Sequence, residues 1–309
     1  MRNYDERKAF VEAALIAAIT TVLTVSVVYI PILSVSIMLV PVPFIILAYR
    51  HGNRYSILSF VTFSLLIGIL VELIYAGFLL LVFGPMILAM GHFIKKQKEP
   101  YAVIGIGTAI SVLSMLIILQ IASYIGNVNI VDEIALAMES IVSKQVDMLK
   151  NMNIDALSAD EVLNYLLMIV PGVFVIQSMI TAFGNYYIAI NILKRFDAGN
   201  SNTELPQFSN FKLPKNIVFG FVVIFILSYL TRYVKGIYHA NLLTNVTLLF
   251  VFIFFVQGMS VISHLIKRTK IPKAIRIFLL VVILFISPLL TVISFVGLLD
   301  AIVNIRNIG

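Results

Sequence analysis

Any chemistry in this chain has to come from few residues. The titratable groups within or against its apolar runs are Glu12, Glu72, Asp300 and four histidines, His51, His92, His239 and His264. No histidine has a second His or a carboxylate four residues away, the spacing at which one helix face offers two ligands to zinc. With no cysteine, thiolate nucleophiles, disulfides and thiolate metal sites are all excluded. Gly105-Ile106-Gly107 lacks a third glycine and a preceding strand, and no Gly-Lys-Ser/Thr phosphate loop or Gly-x-Ser-x-Gly elbow is present. No carboxylate pair sits in mid-run to relay protons, and Glu12, Glu72 and Asp300 all fall within snorkelling reach of an interface, which favours structural roles. These residues predict a protein that is not an enzyme and needs no metal or cofactor. Any nucleotide hydrolysis would belong to a partner.

Amides and alanines are the more informative groups. Gln120, Gln177, Asn185, Asn191, Asn245 and Gln257 all fall within apolar runs. Such amides line a solute cavity or hydrogen-bond between helices, at about 1 kcal/mol each. Gln120, Asn164 and Gln177 flank an acidic segment and are the expected small-molecule-binding residues, with Tyr124 and Tyr165 at the same level. Ala13, Ala14, Ala17 and Ala18 form two overlapping Ala-x-x-x-Ala pairs. Small residues four apart let helices approach closely, either inside the chain or at the docking face of a partner helix.

The elements that must carry these residues are membrane spans. The chain has 309 residues, 61% hydrophobic and 12% charged, with a mean hydropathy of +1.04. A soluble domain has roughly 25% charged residues. A crossing takes about 20 apolar residues, which leaves material for eight to ten spans and excludes a soluble enzyme or an ordinary nucleic-acid binder. Apolar runs cover 9–30, 32–48, 55–71, 73–94, 101–125, 162–193, 216–233, 241–265 and 274–299. Pro31, Pro41 and Pro43 predict a kinked or broken second span, and Pro171-Gly172 a kink in the sixth. Runs three and four are separated only by Glu72; one crossing of that length would be near 60 Å, so two are required.

Residues 127–164 differ, with seven acidic side chains against Lys144 and Lys150. Val131, Ile134, Met138, Ile141, Val142, Val146 and Leu149 recur at helical spacing, which predicts an amphipathic helix lying on the membrane face or over the bundle, not a crossing. Ser158 and Glu161 fit a capping box for the sixth span. With the amino terminus inside, nine spans place 17 of the 22 Lys and Arg in inner segments, leaving Lys144, Lys150, Arg232, Lys235 and Arg306 outside. This count puts the carboxyl terminus outside.

Three stretches carry a family resemblance: Glu12-Ala-Ala-Leu-Ile-Ala-Ala18, Pro41-Val-Pro-Phe-Ile45 leading to Tyr49-Arg-His-Gly52, and Leu205-Pro-Gln-Phe-Ser-Asn-Phe-Lys-Leu-Pro214. Along essentially its whole length the chain resembles the YybS family of bacterial integral membrane proteins. Its first six spans more distantly resemble the S subunits of energy-coupling-factor vitamin transporters. That likeness implies that Ala13, Ala14, Ala17 and Ala18 face a transmembrane coupling subunit, and that the segment 127–162 caps a substrate from outside. Three further spans depart from the six-helix plan.

The resulting expectation is an all-α polytopic bundle of nine spans in a bacterial inner membrane. It comprises a six-helix core (1–195, including 127–162), a cytoplasmic linker (196–215) and a three-helix extension (216–309). Two functions are carried forward. One is capture of a small solute from outside as part of an ATPase-powered uptake system. The other is a non-transporting scaffold or regulator that binds other membrane or envelope proteins. Lipid is the expected surrounding, and nucleic acid is not an expected partner.

Overall fold

A computed structural model describes residues 2–126, 130–152, 158–196, 207–234, 236, 238–269, 271–284 and 286–306. Asn127, Asp155, Asn200-Ser201-Asn202 of the linker and Leu205-Pro206 lie outside the described residues. Among the described residues there is no strand. Hydrocarbon offers backbone N–H and C=O groups no water, so a spanning segment must bond them internally, as a helix does.

The helices are α1 (Arg2–Tyr29), α2 (Pro41–His51), α3 (Asn53–Leu70), α4 (Leu73–Lys95), α5 (Pro100–Gly126), α6 (Ile130–Asn151), α7 (Ala159–Phe196), α8 (Lys215–Leu230), α9 (His239–Lys267), α10 (Lys273–Leu284) and α11 (Ser287–Val303). Among the described residues eight elements are long and apolar enough to cross a membrane; α10 and α11 add a ninth only as a pair bent by 109°. The second crossing, Pro31–His51, is a single span that changes helix type at its prolines. A 3-10 segment, Pro31–Leu39, precedes α2, whose first residue is Pro41. Proline fits there because the first N–H of a helix has no partner to lose. Glu72 ends the ambiguity of runs three and four: α3 stops at Leu70 and α4 starts at Leu73, with the Glu72 carbonyl accepting the Ala76 N–H.

The chain forms two compact units, Met1–Glu133 with Gln177–Leu205, and Ile134–Ile176 with Pro206–Gly309. In the first unit Phe44, Phe60 and Phe63 form an aromatic knot with centroids 4.9 to 5.6 Å apart. Met86, Ile87 and Met90 of α4 and Ala182, Tyr186 and Ala189 of α7 complete that core. In the second unit α11 lies on α9, and Phe254 is buried beside Val218 of α8 and Ala301 of α11.

The capping box is present as expected. Glu161 accepts the Ser158 N–H at 2.9 Å, and the Ser158 hydroxyl accepts the Glu161 N–H at 3.3 Å. On α6 the buried face is narrower than its pattern suggested: Val142 and Val146 are buried and Ile134 and Met138 half-buried, whereas Ile141 and Leu149 are exposed.

The carboxyl-terminal pair bears on sidedness. Nine spans put the linker and the carboxyl terminus on opposite sides, yet Arg306 donates hydrogen bonds to the carbonyls of Ser209 and Phe211 at 3.0 and 2.8 Å. Between α10 and α11 the chain bends by 109°, as in a broken span or a re-entrant pair. Arg276 of α10 and Ser209 also line one groove with Lys267.

Candidate functional site

The three expected solute-binding residues are all surface residues of their helices. Gln120 on α5 and Gln177 on α7 belong to the first unit and are exposed; Asn164 on α7 belongs to the second and is also exposed. Tyr124 and Tyr165 are exposed as well.

The alanine motif divides between two faces. Ala13 and Ala17 are buried, along with Ala9, Thr20, Thr21 and Thr24, and the Ser59 hydroxyl donates to the Ala13 carbonyl at 2.6 Å. This is the side of α1 that packs on α3. Ala14 and Ala18 point the other way and are exposed among Phe10, Val11, Leu15, Ile19 and Val22. About three turns into α1, Glu12 Oε2 meets Arg50 Nη1 at 3.0 Å and His51 Nε2 at 2.7 Å, and the Arg50 guanidinium lies over the Phe196 ring. Glu12 thus ties α1 to the end of α2, in keeping with a structural role.

Interior amides join segments. Asn185 donates to the carbonyls of Met38 and Thr181 at 2.8 and 2.7 Å. Asn245 of α9 accepts the Gly172 N–H at 2.6 Å and donates to the Met168 carbonyl at 2.8 Å. Those are the two groups that an uninterrupted helix would bond to each other. Pro171 sits inside α7, and its ring crowds the preceding turn, so the Asn245 side chain bridges the ladder there. Gly172 leaves the space: a Cβ there would lie 2.7 Å from Asn245 Oδ1.

The densest polar cluster was not among the expected sites. Asn304 takes the left-handed conformation that ends α11, at φ 57°, and its N–H bonds the Asp300 carbonyl at 2.8 Å. The chain then folds back so that Arg306 covers Asp300. Both are buried, with Arg306 Nη2 2.8 Å from Asp300 Oδ2. Arg306 also donates to Ser260 Oγ at 2.7 Å and to the Ser209 and Phe211 carbonyls. Gln257 donates to Asp300 Oδ2 at 2.6 Å and accepts the Leu213 N–H at 3.0 Å. The cluster fastens residues 209–213 to α9 and α11. In sequence its only signal is an Asp and an Arg six residues apart around an Asn that can adopt positive φ. Among the described residues no group of three or more His, Asp or Glu could hold a metal ion.

Two units of long, lipid-length helices, with broad apolar faces outward and polar contacts turned inward, define a polytopic α-helical integral membrane protein. Residues 18–301 match the family described as "Predicted membrane protein (DUF2232)", and the chain belongs to that family. It is 28% identical over 313 residues to "Uncharacterized protein YybS" of Bacillus subtilis (strain 168), covering 98% of each chain. No solved structure matches.

Proposed function

We propose that this protein works in the bacterial inner membrane by holding another membrane protein, through a transmembrane helix of that partner seated on the outward face of α1. It makes and breaks no covalent bonds in this reading. The supporting observation is where the polar side chains go. Asn185, Asn245 and Gln257 are spent on bonds between segments, while Gln120, Asn164 and Gln177 are exposed on their helices. A solute-capturing protein needs convergent polar groups around an enclosed space. A scaffold needs a close-approach face, and Ala14 and Ala18 with Val22 offer one that is free of internal packing.

The test is a gentle-detergent pull-down from the native host, comparing the wild-type chain with Ala14→Leu/Ala18→Leu. Envelope or regulatory membrane proteins should co-purify with the wild type and be lost from the double variant, whose melting temperature should be unchanged. Recovery of a coupling subunit with paired ATPases would replace the scaffold by the uptake reading, which uses the same face. Identical partners for both proteins would remove α1 as the docking face.

A further inference from the structure

At the linker end of the second unit, a groove of about 190 Å³ runs between residues 207–209, the last turns of α9, and α10. Its polar wall is made by Gln207, Ser209, Ser263, Lys267 and Arg276, with no carboxylate among them. Lys267 donates to the Gln207 amide oxygen. The Arg276 Nε is buried and has no hydrogen-bond partner. An unmade bond from a buried cationic donor is costly, so an acceptor is wanted at that point.

Among the described residues that line the groove, none supplies a carboxylate. From Leu205 to Leu299 the chain contains no Asp or Glu and nine Lys and Arg. Asp300, the next acid, is committed to Arg306 and Gln257. The volume decides the size of the missing acceptor, since it falls below the roughly 300–1,000 Å³ of a pocket that encloses a whole small molecule. A phosphate group fits. The rim is apolar where Ile277 and Leu280 line it, and α10 continues outward with the exposed Phe278 and Val281, a track suited to an acyl chain.

We infer that this groove binds a phosphate ester, carried on the headgroup of an anionic phospholipid, with Arg276 and Lys267 as its two cationic contacts. The remaining valence of the headgroup meets Ser209 and Ser263, and the lipid tail lies along α10. The site is on the side that the Lys267–Arg276 charge run assigns to the cytoplasm, where anionic lipid is recognised by basic clusters.

The test uses the full chain in detergent, with native mass spectrometry counting bound lipids during titration with phosphatidylglycerol or phosphatidylcholine. One phosphatidylglycerol should bind more tightly than the rest, with no equivalent for phosphatidylcholine. Lys267→Gln/Arg276→Gln should weaken that site roughly thirtyfold, from two surface cations. Arg232→Gln, an exposed cation at the other end of α8, should leave it unchanged, and all variants should melt with the wild type. Equal binding of the two lipids, or an effect of Arg232→Gln as large as that of the double variant, would overturn the site. Inorganic phosphate at millimolar concentration should not displace the lipid. Displacement by it, with no lipid retained on purification, would overturn the lipid as the source of the phosphate.

Discussion

Arg306 carries five N–H donors, and every one has an acceptor: Asp300 for Nε and one Nη2 proton, Phe211 for the other, and Ser209 and Ser260 for the Nη1 pair. A buried ion pair is tolerable only when it is satisfied to this degree, and removing one member leaves the other charged and alone. Asp300→Ala or Arg306→Met should each destabilise the protein by about 3–5 kcal/mol, read as the midpoint of unfolding in detergent mixtures. The double variant should cost distinctly less than the sum, because each single change already strands its partner. Strict additivity would mean the two do not act as a pair. Neither residue stands out in sequence. Asp300 reads as an interfacial acid, and Arg306 as a flanking base, until the left-handed Asn304 turns the chain back upon itself. That turn depends on one backbone conformation, which no hydrophobic period encodes. The Ser158–Glu161 box, by contrast, was legible, because a capping box is local chemistry at a fixed spacing of three.

Helices were legible in the same degree, since the periods and lengths that lipid demands are written in runs of apolar residues. Their contacts were not. The crossing of α9 and α11 rests on two glycines separated by 39 positions. A Cβ on Gly258 would meet the Ile293 carbonyl oxygen, and one on Gly297 the Phe254 carbonyl oxygen, in both cases below van der Waals separation. The obstruction is backbone, so no side chain can rotate away. Gly258→Ala and Gly297→Ala should each cost about 1–3 kcal/mol, the range for overpacking a filled contact. Gly220→Ala on α8 in the same unit should have little effect, because nothing lies within 4 Å of a Cβ placed there. Detergent melting curves of the three variants give the comparison, and a neutral Gly297→Ala would mean that the helices do not meet at these glycines. The alanine pairs on α1 show a similar limit of pattern reading. Four small residues mark a close-approach helix, but which two face inward is set by α3, and only the packed unit separates Ala13 and Ala17 from Ala14 and Ala18.

For the whole molecule the question is sidedness. Charge counting over nine spans left Arg306 among the few bases outside; a re-entrant α10 and α11 would move it inward and raise the inner share from 17 to 18 of 22. A re-entrant topology would satisfy the positive-inside bias better than nine crossings. Apolar length alone cannot distinguish them, because residues 274–299 are long enough to cross and a 109° bend suits a broken span as well as a re-entrant pair. The chain lends itself to a direct test, having no native cysteine. Single cysteines at Lys215→Cys, beside the linker, at Arg232→Cys, near the end of the α8 crossing, and at Ile305→Cys, an exposed site past α11, would be probed in intact cells with a membrane-impermeant maleimide. Arg232→Cys should label from outside, while Lys215→Cys and Ile305→Cys should label only after the cells are opened. If Ile305→Cys instead reacted in intact cells together with Arg232→Cys, α10 and α11 would form a true ninth crossing. The contacts of Arg306 with Ser209 and Phe211 could not then exist in the membrane, since they require both segments at the same end of α9.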